Sequence, residues 1–261
     1  MTGLAGKACL SVVIPAYNEQ DTLASVVQKL LSLDCLLEII IVDDVSRDRT
    51  TEIASQLAAK HPQITLIRHA VNRGKTEALK TGFARTRGDL VLVQDADCEY
   101  DPSDIPTLIA PLLEGRAGAV FGSRFLDKQP ARVGYSPHFL ANKLLTCLSN
   151  LLTGLHLTDL ATGYKAFRGP LIRNMIITSR GFGFDFEVPA KLAKLGVPIC
   201  EVPVRYQART YAQGKKIRLR DGVAALWYLL RFNLFCSLRS SFRQLPPIRS
   251  IAWSRDFLQS K

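Results

Sequence analysis

Leu10-Ser11-Val12-Val13-Ile14-Pro15-Ala16-Tyr17-Asn18-Glu19 decides the architecture. An apolar run, Leu10–Ile14, stops at a proline and opens directly into polar and aromatic residues. Proline has no N–H to give to a strand ladder, so the strand is expected to end there. The same transition recurs along the chain. Glu38–Val42 runs into Asp43-Asp44, Ile64–Arg68 into His69, and Leu90–Gln94 into Asp95-Ala96-Asp97. Helical spacing fills the intervals at Asp21–Leu33, Asp48–Lys60 and Thr76–Thr86. Short apolar strands separated by helices predict an α/β fold, a mainly parallel sheet covered on both faces. Ligands of such sheets gather at the carboxyl ends of the strands, where the unusual polar residues of this chain fall.

Beyond Pro102 the pattern loosens. It predicts a helix at Asp104–Leu113, strands at Ala119–Gly122 and Ile199–Arg205, and a helix at Asp185–Leu195. Leu140, Leu144, Leu148, Leu151, Leu152 and Leu155 recur at helical spacing. Leu219, Val223, Leu226, Trp227, Leu230, Leu234 and Leu238 share a further helical face. No repeat or low-complexity linker interrupts the chain. The expected organisation is one domain over residues 1–218, with an amphipathic helix and basic tail at 219–261.

Thirty-four Lys and Arg against 23 Asp and Glu give a formal net charge of +11, which favours an anionic partner without selecting one. The arginines are not gathered with interleaved aromatics, so a basic nucleic-acid-binding module ranks last and no specific nucleic acid is expected. Six scattered cysteines form no C-x-x-C pair, which argues against the usual zinc spacings and suggests reduced thiols of a cytoplasmic protein. No leader-like segment is visible, and no stretch offers the ~20 apolar residues of a membrane span. The expectation is a cytoplasmic protein, soluble or peripheral on the membrane.

Asp95-Ala96-Asp97 carries the strongest chemical signal. Two carboxylates at a broken strand end can turn to one point and offer hard oxygens to Mg²⁺ or Mn²⁺, whose shell substrate phosphates complete. Glu99 is a candidate third ligand. Alternatively the loop merely caps the helix after Pro102. Gly74-Lys75-Thr76 imitates the end of a P-loop, but G-x-x-x-x-G-K-[ST] needs a glycine where His69 stands, so an NTPase is rejected. His61, His69, His138 and His156 make no metal-ligand spacing and read as surface or satisfied core residues.

Pro15-Ala16-Tyr17-Asn18-Glu19, Val42–Thr50 and the D-A-D together resemble the family-2 glycosyltransferases of GT-A fold. Gly122-Ser123-Arg124, Asp159-x-x-Thr162-Gly163-Tyr164-Lys165 and Arg209-x-Tyr211 with Gly214-Lys215-Lys216 resemble the subgroup acting on dolichyl or other polyprenyl phosphates. The resemblance covers roughly residues 10 to 235. It implies that Pro15, Tyr17 and Glu19 line a nucleotide pocket and that Val42 and Asp44 hold base and ribose. Asp95, Ala96 and Asp97 would bridge nucleotide and metal, with Arg124, Arg209 and Lys215 facing the phosphates. Asp44 could instead cap the helix near Asp48. Relatives often carry a second glycine where Thr76 stands, which leaves open whether Arg73 and Lys75 reach the donor.

The implied reaction is inverting transfer of a sugar from a nucleotide-diphosphate sugar to a polyprenyl phosphate, with catalytic Asp97, Arg124 and Asp159. A soluble or saccharide hydroxyl acceptor is the alternative. It would need a base, for which Asp159 is the first candidate; the competing reading pairs Asp159 with Lys165. The Q-x-x-R-W signature of processive synthases is absent. The C-terminal helix either packs its apolar face on the domain, favoured for Leu219–Leu230, or brings the enzyme to a lipid-linked acceptor.

Overall fold

The computed structural model describes residues 9–126, 137–208 and 219–244. Seven strands form one sheet: β1 (Leu10–Ala16), β2 (Leu36–Asp43), β3 (Ile64–Arg68), β4 (Leu90–Val93), β5 (Ala119–Ser123), β6 (Lys165–Arg168) and β7 (Ile199–Pro203). Their order is β3-β2-β1-β4-β6-β5-β7. β1 pairs in parallel with β2 and β4, β2 with β3, and β5 with β7. β6 alone runs antiparallel, between β4 and β5.

Successive strand residues point to opposite faces, so a strand buried on both sides is apolar throughout. Val12, Ile14, Ile39, Ile41 and Leu92 face one core, shared with Val26, Val27 and Leu30 of α1 (Leu23–Leu31) and with α4 (Ile105–Leu113). Val13, Ile40, Val42, Val91 and Val93 face the other. That second core includes Ala78, Leu79 and Phe83 of α3 (Lys75–Phe83), together with α6 (Gly169–Asn174), α7 (Phe184–Leu195) and α8 (Leu219–Leu234). α2 (Thr50–Lys60) lies over the first core through Ala54 and Leu57. α5 (Pro137–Thr153) packs against α7 and α8.

β1 runs two residues past the predicted strand end at Ile14, through Pro15 to Ala16. Gln94 N–H donates to Val13 O and Asp44 N–H to Ala16 O, so odd residues of β1 face β4. β4 stops at Val93, and the missing N–H of Pro15 therefore points past its end. β6 and α6 were not expected from the sequence. Lys165 is fully buried at the head of β6, whereas a lysine in so short a segment reads as solvent-facing.

The C-terminal helix corrects one expectation. α8 buries Ala225, Leu229 and Phe232. Val223, Leu226 and Trp227, on the face expected to pack on the domain, are exposed, as is Leu234 beyond that stretch.

Candidate active site

Because β6 is antiparallel, its first residues meet the carboxyl end of β4, and β5 and β7 end at the same edge. Residues 15–20, 43–50, 69–75, 94–100, 123–125, 159–165 and 204–208 thus converge on one side of the sheet. Three of its turns force non-glycine residues to positive φ: Asn18 at 53°, Val45 at 65° and Cys98 at 59°. For β-branched Val45 this is an outlier of about 1–3 kcal/mol that the surroundings must hold in place.

Side chains bonding to backbone supply that restraint. Asn18 N–H donates to Ser46 Oγ (3.0 Å) and Asn18 Oδ1 accepts from Arg47 N–H (2.8 Å). Glu19 N–H donates to Thr50 Oγ1 (2.8 Å), and Asp43 Oδ1 accepts from Ser46 N–H (3.0 Å). The loops after β1 and β2 are therefore one stitched unit, with Pro15 and Tyr17 half-buried and Glu19 buried.

Asp44 ties in the third loop. Its carboxylate accepts from Gly74 N–H (2.7 Å) and Arg73 N–H (2.9 Å) and lies 2.7 Å from His69 Nδ1. An ionised carboxylate only accepts, so Nδ1 carries the proton there. Asp44 occupies the amides a P-loop would give to phosphate. It does not cap α2, whose N-cap position is Arg49; Asp48, just before it, accepts from Thr50 N–H at 3.0 Å. Thr76, the departure from the glycine pattern, is fully buried and does specific work. Its N–H and Oγ–H reach Gly181 O (3.0 and 2.9 Å), and its Oγ1 accepts from Phe184 N–H at 3.2 Å. α3 and α7 thereby begin side by side.

At the D-A-D, Asp95 Oδ1 lies 2.6 Å from Lys75 Nζ. Burial disfavours the Lys75 charge, but Asp95, Asp185 and Asp97 outweigh it and hold the ammonium protonated beyond its ordinary range. Gly163 packs so closely on Asp95 Oδ2 and the Tyr100 ring that a Cβ there would overlap both. Tyr100 Oη accepts from Gly163 N–H at 2.8 Å, and burial pushes its own ionisation up to about 12. Asp97 Oδ1 accepts from Glu99 N–H at 3.1 Å.

Val42 is fully buried in the second core and Ala96 nearly so in the first, which leaves their backbone atoms for any ligand contact. Glu99 Oε2 accepts from Tyr206 Oη–H at 3.0 Å, and among the described residues no three His, Cys, Asp or Glu are already gathered as a metal cage.

Across the cleft, Arg124 Nε and Nη2 grip Asp159 Oδ2 and Oδ1 at 2.6 and 2.7 Å, and Asn142 Nδ2 donates to Oδ1 at 2.9 Å. The guanidinium stacks 4.9 Å from the Tyr206 ring centre. Burial raises the Asp159 pKa, yet the Arg124 bonds and charge prevail and hold it below its usual value. A fully buried, doubly bonded carboxylate with a depressed pKa is a poor proton acceptor, so Asp159 orients Arg124 rather than serving as a base. Nor does it pair with Lys165, whose ammonium bonds Asp185 Oδ1 (2.6 Å) and Thr162 O. Burial pulls the Lys165 pKa down despite that partner. Asp185 escaped notice because an acidic residue in a first helical turn reads as complementing the helix dipole. Arg209 and Lys215 lie outside the described residues. The segment leading to them is pinned beside the D-A-D, where Gln207 N–H donates to Glu99 O at 2.9 Å.

Residues 11–175 match the model of glycosyl transferase family 2. The chain belongs to that family. This family-2 transferase is 29% identical over 238 residues to undecaprenyl-phosphate mannosyltransferase of Micrococcus luteus, covering 85% of this chain and 97% of that one. It is 30% identical over 212 residues to undecaprenyl-phosphate 4-deoxy-4-formamido-L-arabinose transferase of Edwardsiella ictaluri, covering 79% of this chain but 62% of the relative. Its GT-A fold matches glucosyl-3-phosphoglycerate synthase of Mycobacterium tuberculosis, solved with Mn²⁺, uridine diphosphate and glucosyl-3-phosphoglycerate. That match has a TM-score of 0.67 and 25% identity, covering 87% of this chain and 80% of the other. In the family-2 transferase described here, Asp95 and Asp97 offer hard oxygens from one turn. Two protein carboxylates suit a Mg²⁺ or Mn²⁺ ion that keeps waters and takes phosphate oxygens.

Proposed function

We propose that this family-2 glycosyltransferase moves a sugar, with inversion, from a nucleotide-diphosphate sugar to a polyprenyl phosphate, and that the reaction depends on Mg²⁺ or Mn²⁺. The observation that carries the reading is the placement of the D-A-D turn, with Lys75 on Asp95, at the sheet edge shared with the Asp159-locked Arg124. Pro15, Tyr17, Glu19 and Asp95 would line the nucleotide side. Asp95 and Asp97 would hold the ion, which supplies Lewis acidity to the leaving diphosphate. Arg124 is pre-oriented by two bonds to Asp159, so its charge is fixed before the diphosphate leaves, the condition for electrostatic stabilisation. Arg209 and Lys215 would add charge from the segment after Tyr206. A phosphate acceptor is already anionic and needs no base, which agrees with Arg124 holding the Asp159 carboxyl below its usual range.

The acceptor would be met at a lipid surface. No helix among the described residues is long and apolar enough to cross a membrane. α5 and α8 nevertheless expose Leu140, Leu144, Leu151, Val223, Trp227 and Leu234 on neighbouring helices. Exposed apolar faces of this size mark interaction surfaces, and the basic surplus suits anionic lipid. The test is to supply a panel of nucleotide-diphosphate sugars with Mn²⁺ and undecaprenyl phosphate, then extract the lipid phase. Sugar appearing there only with the metal supports the reading. Transfer solely to water-soluble acceptors refutes it. Co-sedimentation with phosphatidylglycerol vesicles checks the surface, and no binding removes it.

A further inference from the structure

A groove of about 240 Å³ runs between the loop preceding α7 and the side of α8, lined by Arg180, Gly181, Phe182, Phe186, Ala224 and Tyr228. Its inner wall abuts the candidate active site. Thr76 bonds Gly181 O, and a Cβ on Gly74 would stand 3.4 Å from Gly181 Cα. Lys75, between those two residues, holds Asp95. Val223 and Trp227, next in sequence to the lining residues Ala224 and Tyr228, are exposed.

The groove is pre-formed. Glu187, fully buried, accepts from Thr178 N–H and Ser179 N–H (both 2.8 Å) and is neutralised by Lys191 at 2.5 Å. Arg180 N–H then donates to Tyr228 Oη at 3.1 Å, tying the loop to α8. A wall fixed before binding costs little ordering entropy when a ligand arrives.

We propose that this groove seats the phosphate-proximal isoprene units of the polyprenyl phosphate acceptor, with Arg180 attracting its phosphate. This rests on the acceptor reading above and adds where the acceptor enters. The match is one of polarity. An isoprenyl phosphate has an anionic head and a branched hydrocarbon tail. The groove offers the cation Arg180 with phenylalanine and alanine side chains, its Gly181 contacts the loop that carries Lys75, and α8 leaves Val223 and Trp227 exposed. A nucleotide or sugar would need several convergent polar groups. Arg180 and Tyr228 are the polar side chains in this lining. The volume holds a short run of chain, leaving the remainder of the tail to lie along α8.

Calorimetric binding of farnesyl phosphate, farnesol and inorganic phosphate to the full chain tests this. Ala224→Trp fills the groove from an exposed position and should weaken farnesyl phosphate about tenfold or more, a ~1.4 kcal/mol change, while nucleotide-diphosphate affinity stays constant. Arg180→Ala should weaken farnesyl phosphate but not farnesol. Undiminished farnesyl phosphate binding in Ala224→Trp, or none to the wild type, overturns the groove assignment. If undecaprenyl phosphate still accepts sugar in those cases, the function stands and only the seat of the acceptor is wrong. If the wild type transfers nothing to undecaprenyl phosphate, both readings fall together.

Discussion

The two halves of the sheet edge are built by different means. On the β1–β2–β3 side, short polar side chains bond backbone amides of adjacent loops: Asn18 to 47, Ser46 to 18, Thr50 to 19, Asp44 to 73 and 74. On the β4–β6–β5–β7 side, buried ions meet across long sequence intervals: Lys75 with Asp95, Arg124 with Asp159, and Lys165 with Asp185. In the proposed reading the first half frames the nucleotide and the second holds charge where the diphosphate develops it. Geometry in one half is thus set by amide bonds, and in the other by compensation of buried charge, so the two should fail differently.

Arg124→Ala should show the largest effect. It leaves Asp159 charged, buried and without its main partner, a loss of about 3–5 kcal/mol when one member of such a pair is removed. Urea denaturation of the variant measures it, and a loss below ~1 kcal/mol would mean the pair behaves like a surface contact. Asp97→Ala should leave the fold intact but lower metal-dependent turnover by about 10²–10³, the cost typical of removing an electrostatic stabiliser. Retained turnover would detach the D-A-D from the chemistry.

Gly163→Ala sits between these extremes. Its methyl would overlap Asp95 Oδ2 and the Tyr100 ring, so overpacking of about 1–3 kcal/mol is expected together with weaker metal binding. Unaltered metal affinity in a destabilised protein would show that the glycine serves packing alone. On the amide-stitched side the effects should be smaller. Thr76→Val removes the hydroxyl link between α3 and α7 and should cost about 1 kcal/mol, because Phe184 N–H loses its acceptor while Gly181 O keeps the Thr76 N–H. A neutral result would make the threonine a mere filler.

The contrast also governs what the sequence alone reveals. The frame half is legible because its strands are continuous apolar runs and its loops consist of Asn, Asp, Ser and Thr beside strand ends. The charged half is not. Lys165 reads as a partner for Asp159 until β6 carries it beside Phe121 and onto Asp185. Asp159 invites reading as a base until α5 and Arg124 are seen to consume both its oxygens. Pairings across 35 residues leave no periodicity, and a titratable group is classified by its surroundings rather than its type.

The pH response sharpens this further. Arg124 holds the Asp159 carboxyl below its unfolded value, so its stabilising contribution is complete above the ordinary carboxylate range, about pH 3.9, and is lost as pH falls through the lower folded pKa. Denaturation curves at neutral and strongly acid pH should therefore differ more for wild type than for Asp159→Asn. Equal acid losses would place the stabilisation elsewhere.

The most direct test of the account is calorimetric titration of nucleoside diphosphates into wild type and Asp97→Ala, each with and without Mn²⁺. The account predicts that Mn²⁺ tightens binding of the preferred diphosphate to the wild type and that Asp97→Ala loses most of that gain. Metal-independent affinity in the wild type, or an identical gain in the variant, would contradict it.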